Sequence, residues 1–98
     1  MSAKLTLGAL AEIYLARRTR RDGSELKPRA LEYRQRTVDT LRRHWSGFDD
    51  LPVSQVSYED CATFFDKMRH RYSETPFNGM LESLRGIFQI GISLGACE

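Results

Sequence analysis

Apolar residues recur along this chain at intervals of three and four, the spacing that lines one face of an α-helix, and no run alternates long enough to make a strand. Four helical segments follow from the pattern. The first starts after Thr6 as N-cap and runs to about Arg20, with Leu7, Leu10, Ala11, Tyr14 and Leu15 on one stripe. The loop after it is Asp22-Gly23-Ser24. The second helix takes Pro28 in its first turn, where the missing N–H would be unpaired anyway, and continues to about Trp45. Its core stripe is Leu31, Val38, Leu41 and Trp45. Ser46-Gly47 and Asp49-Asp50 then make a turn, with Val53 and Val56 anchoring the connection. Ser57 with Asp60 approximates a capping box for the third helix, whose apolar face, Cys61, Phe64, Phe65 and Met68, extends to about Tyr72. Thr75-Pro76 signals the start of the fourth helix, which reaches about Leu94 before Gly95 ends it. Phe77, Met80, Leu81, Leu84, Ile87, Phe88 and Leu94 form its core stripe, and Gly91 permits a close helix approach. Ile13, Ile90 and Ile92 fall outside or at the edge of these stripes.

The fold class expected is all-α. A length of 98 residues fits one domain, and 41% apolar with 29% charged residues describes a soluble globular chain. No apolar run approaches the ~18 to 20 residues that a membrane span requires, and no secretory signal is evident at the N-terminus, so a cytoplasmic setting without membrane contact is expected. Cys61 and Cys97 are read as free thiols, the first as core packing, since neither belongs to a Cys-x-x-Cys pair or stands near a histidine at ligand spacing. His44 and His70 are assigned neither a metal nor a catalytic role.

Charge is distributed unevenly. Residues 1–43 carry eleven Lys/Arg against five Asp/Glu, a balance of +6, while residues 44–98 carry four against eight, a balance of −4. Such a dipolar domain would orient toward a polyanion. Arg17, Arg18, Arg20 and Arg21 close the first helix, where cations complement the helix dipole or contact phosphate. On the second helix the core stripe spans about 80°, and Arg29, Arg36 and Arg43 form a line on the opposite side, drifting only ~20° per seven residues. Tyr33 and Thr40 fill the intervals, giving a face of guanidinium, phenol and hydroxyl groups ~21 Å long, with Glu32 and Asp39 set to one side. Arg34 falls in the core stripe, where it must snorkel or pair. On the fourth helix Asn78, Glu82, Arg85 and Gln89 make a polar line able to hydrogen-bond phosphates or base edges. Either face could instead be a solvated surface.

The chain contains no glycine-rich phosphate loop, no paired Cys/His ligands and no Gly-x-Ser-x-Gly elbow. A binding domain needing no cofactor is expected rather than an enzyme, with the tyrosines used in packing. Two other functional classes compete with nucleic-acid binding by these faces. A helical protein-interaction module would show a contiguous exposed apolar patch, for which Ile13, Ile90 and Ile92 are available. A small helix-turn-helix regulator would need a short turn, which only the connection between the third and fourth helices provides.

In order along the chain, four segments resemble the N-terminal core-binding domain of tyrosine recombinases, the phage-integrase family. The stretch from Thr6 to Leu15 is similar to that family's first helix, and Leu26 to Arg34 to the start of its second. Asp50-Leu51-Pro52-Val53 and the residues to Asp60 resemble the entry to the third. Asn78 to Gly91, with its Leu84-Arg85 and Ile87-Phe88 pairs, resembles the fourth. Ala30, Arg34 and Gly91 depart from the family, which has a Thr, an aromatic and an Ala there. The resemblance implies a four-helix, SAM-like bundle that clamps one face of recombination-site DNA. A separate C-terminal catalytic domain of the parent, absent from this chain, would grip the other face and carry the nucleophile, and none of the family's catalytic residues maps here. Its implied partners are double-stranded DNA, that catalytic domain and the other protomers of a recombinase tetramer. The resemblance also implies that the second and fourth helices face DNA. With Arg29, Arg36, Arg43 and Lys27 on phosphates and Asn78, Arg85 and Gln89 toward the groove, this agrees with the faces found from helical angles.

Overall fold

The computed structural model describes residues 5–19 and 23–95. Among these the chain forms an all-α four-helix bundle: α1 is Leu7–Ala16, α2 Pro28–His44, α3 Tyr58–Arg71 and α4 Glu74–Ser93. Two 3₁₀ turns, Phe48–Asp50 and Val53–Gln55, lie between α2 and α3.

Local chemistry accounts for most boundaries. The Thr6 hydroxyl accepts from the Ala9 N–H at 3.1 Å, Pro28 opens α2, and Ser57 and Asp60 form a full reciprocal capping box at the start of α3. Gly95, at φ 73°, takes the left-handed conformation after the end of α4, a region in which glycine meets no Cβ penalty.

Two boundaries differ from the sequence pattern. Helix α1 stops at Ala16 rather than near Arg20, because Arg17 adopts extended backbone and its N–H turns back to the Tyr14 carbonyl. The chain then reverses through an antiparallel bridge between Thr19 and Glu25. Arg17 and Arg18 therefore lie beyond the helix instead of capping its dipole. Arg20, Arg21, Asp22 and Cys97 are outside the described residues. Helix α4 starts one residue before Thr75, with Ser73 as N-cap, so Pro76 occupies its third position, where its missing N–H is still one that would have no intrahelical partner.

The core gathers Leu7, Leu10 and Ala11 of α1, Val38 and Leu41 of α2, Phe64 and Met68 of α3, and Met80, Leu84, Ile87 and Ile90 of α4. Tyr14, Leu15, Trp45, Cys61, Phe65, Phe77 and Phe88 pack half-buried against it, whereas Leu31 is half-buried without joining the core. Phe48 and Val53 seal it from the connection, which is tied to α1 by Leu7 N–H to the Leu51 carbonyl (2.8 Å) and Val53 N–H to the Leu5 carbonyl (2.9 Å). Ile90 is a correction, since it is buried rather than marginal: α4 packs against both α1 and α2, which widens its apolar arc. Leu94 is the converse, exposed because the helix ends one residue earlier. Among the described residues no helix is long and apolar enough to cross a membrane.

Candidate nucleic-acid interface

Helix α2 sorts its cations into two groups. Arg42 is the engaged one: its Nη2 reaches Glu12 Oε1 at 2.8 Å, its Nε reaches Asp49 Oδ1 at 2.7 Å, and Asp39 Oδ1 lies 4.0 Å from Nη1. The Glu12 hydrogen bond is the largest influence on its pKa and, with Asp49, raises it in spite of partial burial. Every ion pair among the described residues runs through this one guanidinium. Lys27, Arg29, Arg36 and Arg43 are exposed and pair with no described carboxylate. Asp39, one of the two acids beside the arginine line, is drawn off it, since it also accepts from Gln35 Nε2 at 3.0 Å.

Tyr33 and Thr40 do not simply fill the gaps in that line. The Thr40 hydroxyl donates to the Arg36 carbonyl at 2.9 Å, which commits its proton inside the helix and leaves the oxygen only as an acceptor. Tyr33 leans across to α4, where its hydroxyl donates to the Thr75 carbonyl at 3.4 Å and stands over Gly79.

That lean builds a cleft of about 890 Å³ between the first half of α2, the end of α1 and the outer side of α4. Gly79, Ser83 and Gly86 recur at helical spacing along one edge of α4, so the helix offers almost no side chain there. Tyr33 comes against the first, and Tyr14 comes against Gly86 with its hydroxyl 3.4 Å from Ser83 Oγ. Arg34 lies over the Tyr14 ring with Cζ 4.8 Å from the centroid, within the range of a cation–π contact. Arg17, Arg85, Glu82 and Gln89 add the remaining charged and amide groups, with Thr19, Leu26 and Ala30 completing the lining. A shallower depression beside it adds Asn78 to Tyr33 and Arg85.

Of the residues selected from sequence, Tyr33, Arg85 and Gln89 line the cleft and Asn78 lines the depression beside it, while Lys27, Arg29, Arg36, Thr40 and Arg43 line neither. It adds Tyr14, Arg17 and Arg34. The core-facing angle of Arg34 is the signal available in the sequence, and Arg17 belongs to the cluster for which phosphate contact competes with capping of the helix dipole. Chemically the cleft and the depression beside it offer guanidinium donors for phosphate oxygens, two amides that both donate and accept, and one carboxylate suited to an exocyclic amino group.

Among the described residues no group of three or more His, Cys, Asp or Glu could hold a metal ion. Burial, with a smaller push from Asp60, raises the pKa of the half-buried Cys61 thiol, so it remains protonated at neutral pH. Comparison with family models, curated proteins and solved structures finds no match to this chain.

Proposed function

We propose that this domain binds double-stranded DNA, and that it does so as the SAM-like core-binding half of a phage-integrase-type tyrosine recombinase acting in the cytoplasm. The observation that carries the DNA reading is the exposed line Arg29, Arg36 and Arg43, unpaired with any described carboxylate although Arg42 gathers several. In this reading the line and Lys27 neutralise backbone phosphates, while Asn78, Arg85 and Gln89 reach toward the groove. A second contact surface on a parent catalytic domain would supply the avidity that one half of a clamp lacks.

The test is anisotropy of a short labelled duplex titrated with the domain over a range of salt concentrations. Four phosphate contacts give a slope of log K against log salt of roughly −3 to −4, and Arg36→Ala lowers its magnitude by about one without changing sequence preference. Absence of binding at low salt overturns the reading. Its recombinase half is tested separately by the reading frame after the Glu98 codon. An Arg, a later His-x-x-Arg and a Tyr near the end of that frame support it, and a stop codon removes it while leaving DNA binding intact.

One observation favours a protein-interaction surface instead: Ile92 and Leu94 are 52% and 56% exposed at the end of α4. In the recombinase reading these side chains contact the catalytic domain or a neighbouring protomer.

A further inference from the structure

The last turn of α2 meets the last turns of α3 at a group of side chains outside the cleft. His44 bridges them. Its Nε2 lies 2.7 Å from the Tyr72 hydroxyl, and its Nδ1 lies 3.1 Å from Arg71 Nη1. A guanidinium can only donate, so Nδ1 must be the acceptor, which places the ring proton on Nε2, directed at the Tyr72 oxygen. The chain from Tyr72 through His44 holds the Arg71 guanidinium at Nη1, on a side chain that is otherwise exposed.

The surrounding charge is of one sign. Burial is the chief reason that the imidazole is held below its usual pKa, and the charges of Arg71, Arg43 and Lys67 add to it in that order. Among the described residues none of those three cations forms an ion pair with a carboxylate. Cations in a last helical turn ordinarily answer the helix dipole. That explanation does not cover Lys67, which stands four residues before Arg71 on the same face of α3 and ahead of its last turn, or the Arg71 N–H that is directed at an imidazole rather than at a terminal carbonyl. Like charges gathered around a neutral histidine repel one another in the free domain, an anionic ligand relieves that repulsion, and local conflicts of this kind are expected at functional surfaces.

We infer that the phosphate track on α2 continues past Arg43 onto α3, where Lys67 and Arg71 are two further ligands for DNA backbone phosphates and His44 positions the Arg71 guanidinium. This rests on the DNA-binding reading and extends it from α2 and α4 to a third helix. The contacts carry no base readout, so they strengthen binding to any sequence equally.

The test uses the whole chain and the same duplex. Lys67→Ala and Arg71→Ala are each expected to reduce the magnitude of the salt slope by about one, as Arg36→Ala does. An NMR titration of the His44 ring provides a readout independent of affinity. A phosphate seated beside Arg71 offsets the local positive potential, so the pKa of His44 should be higher in the complex than in the free domain. His44→Gln, which keeps an acceptor for Arg71, should retain the wild-type slope, whereas His44→Ala should lose part of it. The inference is overturned if the domain binds DNA and responds to Arg36→Ala while Lys67→Ala and Arg71→Ala leave the slope unchanged and His44 titrates alike with and without duplex. Complete absence of DNA binding would instead overturn the underlying reading.

Discussion

The guanidinium of Arg34 lies over the ring of Tyr14, joining α2 to α1 in the lining of the cleft, and the Cδ1–Cε1 edge of that ring borders Gly86 of α4. Three helices thus meet on one aromatic ring. A cation in this position serves both packing and recognition, and the two can be separated. Arg34→Met keeps the aliphatic stem but removes the charge, so stability should fall by no more than ~1 kcal/mol, the scale of one partly exposed cation–π contact. DNA affinity should fall with it, and the magnitude of the salt slope should drop by about one if Arg34 also meets a phosphate. Urea unfolding and anisotropy on the same variant decide the matter. Lost stability with an unchanged slope would make Arg34 a packing residue alone.

Glycine positions along the bundle should differ in their tolerance of a single methyl group. A Cβ at Gly8 would stand 2.6 Å from the Asp49 Cα and 2.7 Å from its carbonyl oxygen, so backbone would have to move. A Cβ at Gly86 would meet Tyr14 Cε1 at 2.6 Å, on a ring already held by Arg34. At Gly79 the obstacle is the hydroxyl end of Tyr33, which is 44% exposed and can swing outward. Overpacking should destabilise Gly8→Ala by about 2 kcal/mol. Gly79→Ala should lie within ~0.5 kcal/mol of wild type, because alanine's helix propensity offsets the displaced phenol. Gly86→Ala belongs between them. Urea midpoints for the three variants test the order, and equal losses at Gly8 and Gly79 would contradict it.

Much of the bundle could be read from the order of residues because its signals are local. Thr6, Pro28 and the Ser57–Asp60 pair act within one turn of themselves, and the stripes of α1 to α3 need only the helical period. What escaped detection depends on contacts between distant segments. Phe48 is buried by a 3₁₀ turn that folds under α1, a position no periodicity marks. Ile90 lies at the edge of the α4 stripe but is buried, because α4 packs against two helices. The Arg42 network joins residues 30 positions apart. Likewise the arginine line follows from angles on one helix, whereas the cleft requires Tyr14, Arg34 and the glycine edge of α4 to meet.

The cap of α3 offers a local test. Ser57 Oγ accepts from the Asp60 N–H at 3.0 Å, and Asp60 Oδ2 accepts from the Ser57 N–H at 2.9 Å. Ser57→Ala removes the first contact and leaves a helix N–H to water, which should destabilise the domain by about 1 kcal/mol. Because the cap is far from the last turn of α3, DNA affinity measured well below the unfolding midpoint should not change. Thermal unfolding and anisotropy check the two halves.

Stability should respond to acid through His44. The folded state holds its pKa below the usual histidine range, chiefly by burial and then by Arg71, Arg43 and Lys67. The unfolded chain therefore takes up a proton near pH ~6.5, ahead of the folded ring. Between that value and the lower folded pKa the unfolded state binds more protons, so stability declines as pH falls and levels off once both states are protonated. Above ~6.5 neither state is charged at this site and the contribution is independent of pH. Acidification also works against the observed geometry, since a protonated Nδ1 cannot accept from Arg71. His44→Gln should flatten this part of the profile while keeping the Arg71 contact. The check is the urea midpoint of both proteins measured from neutral pH down to pH 5. The same slope in wild type and His44→Gln would place the acid sensitivity elsewhere in the chain.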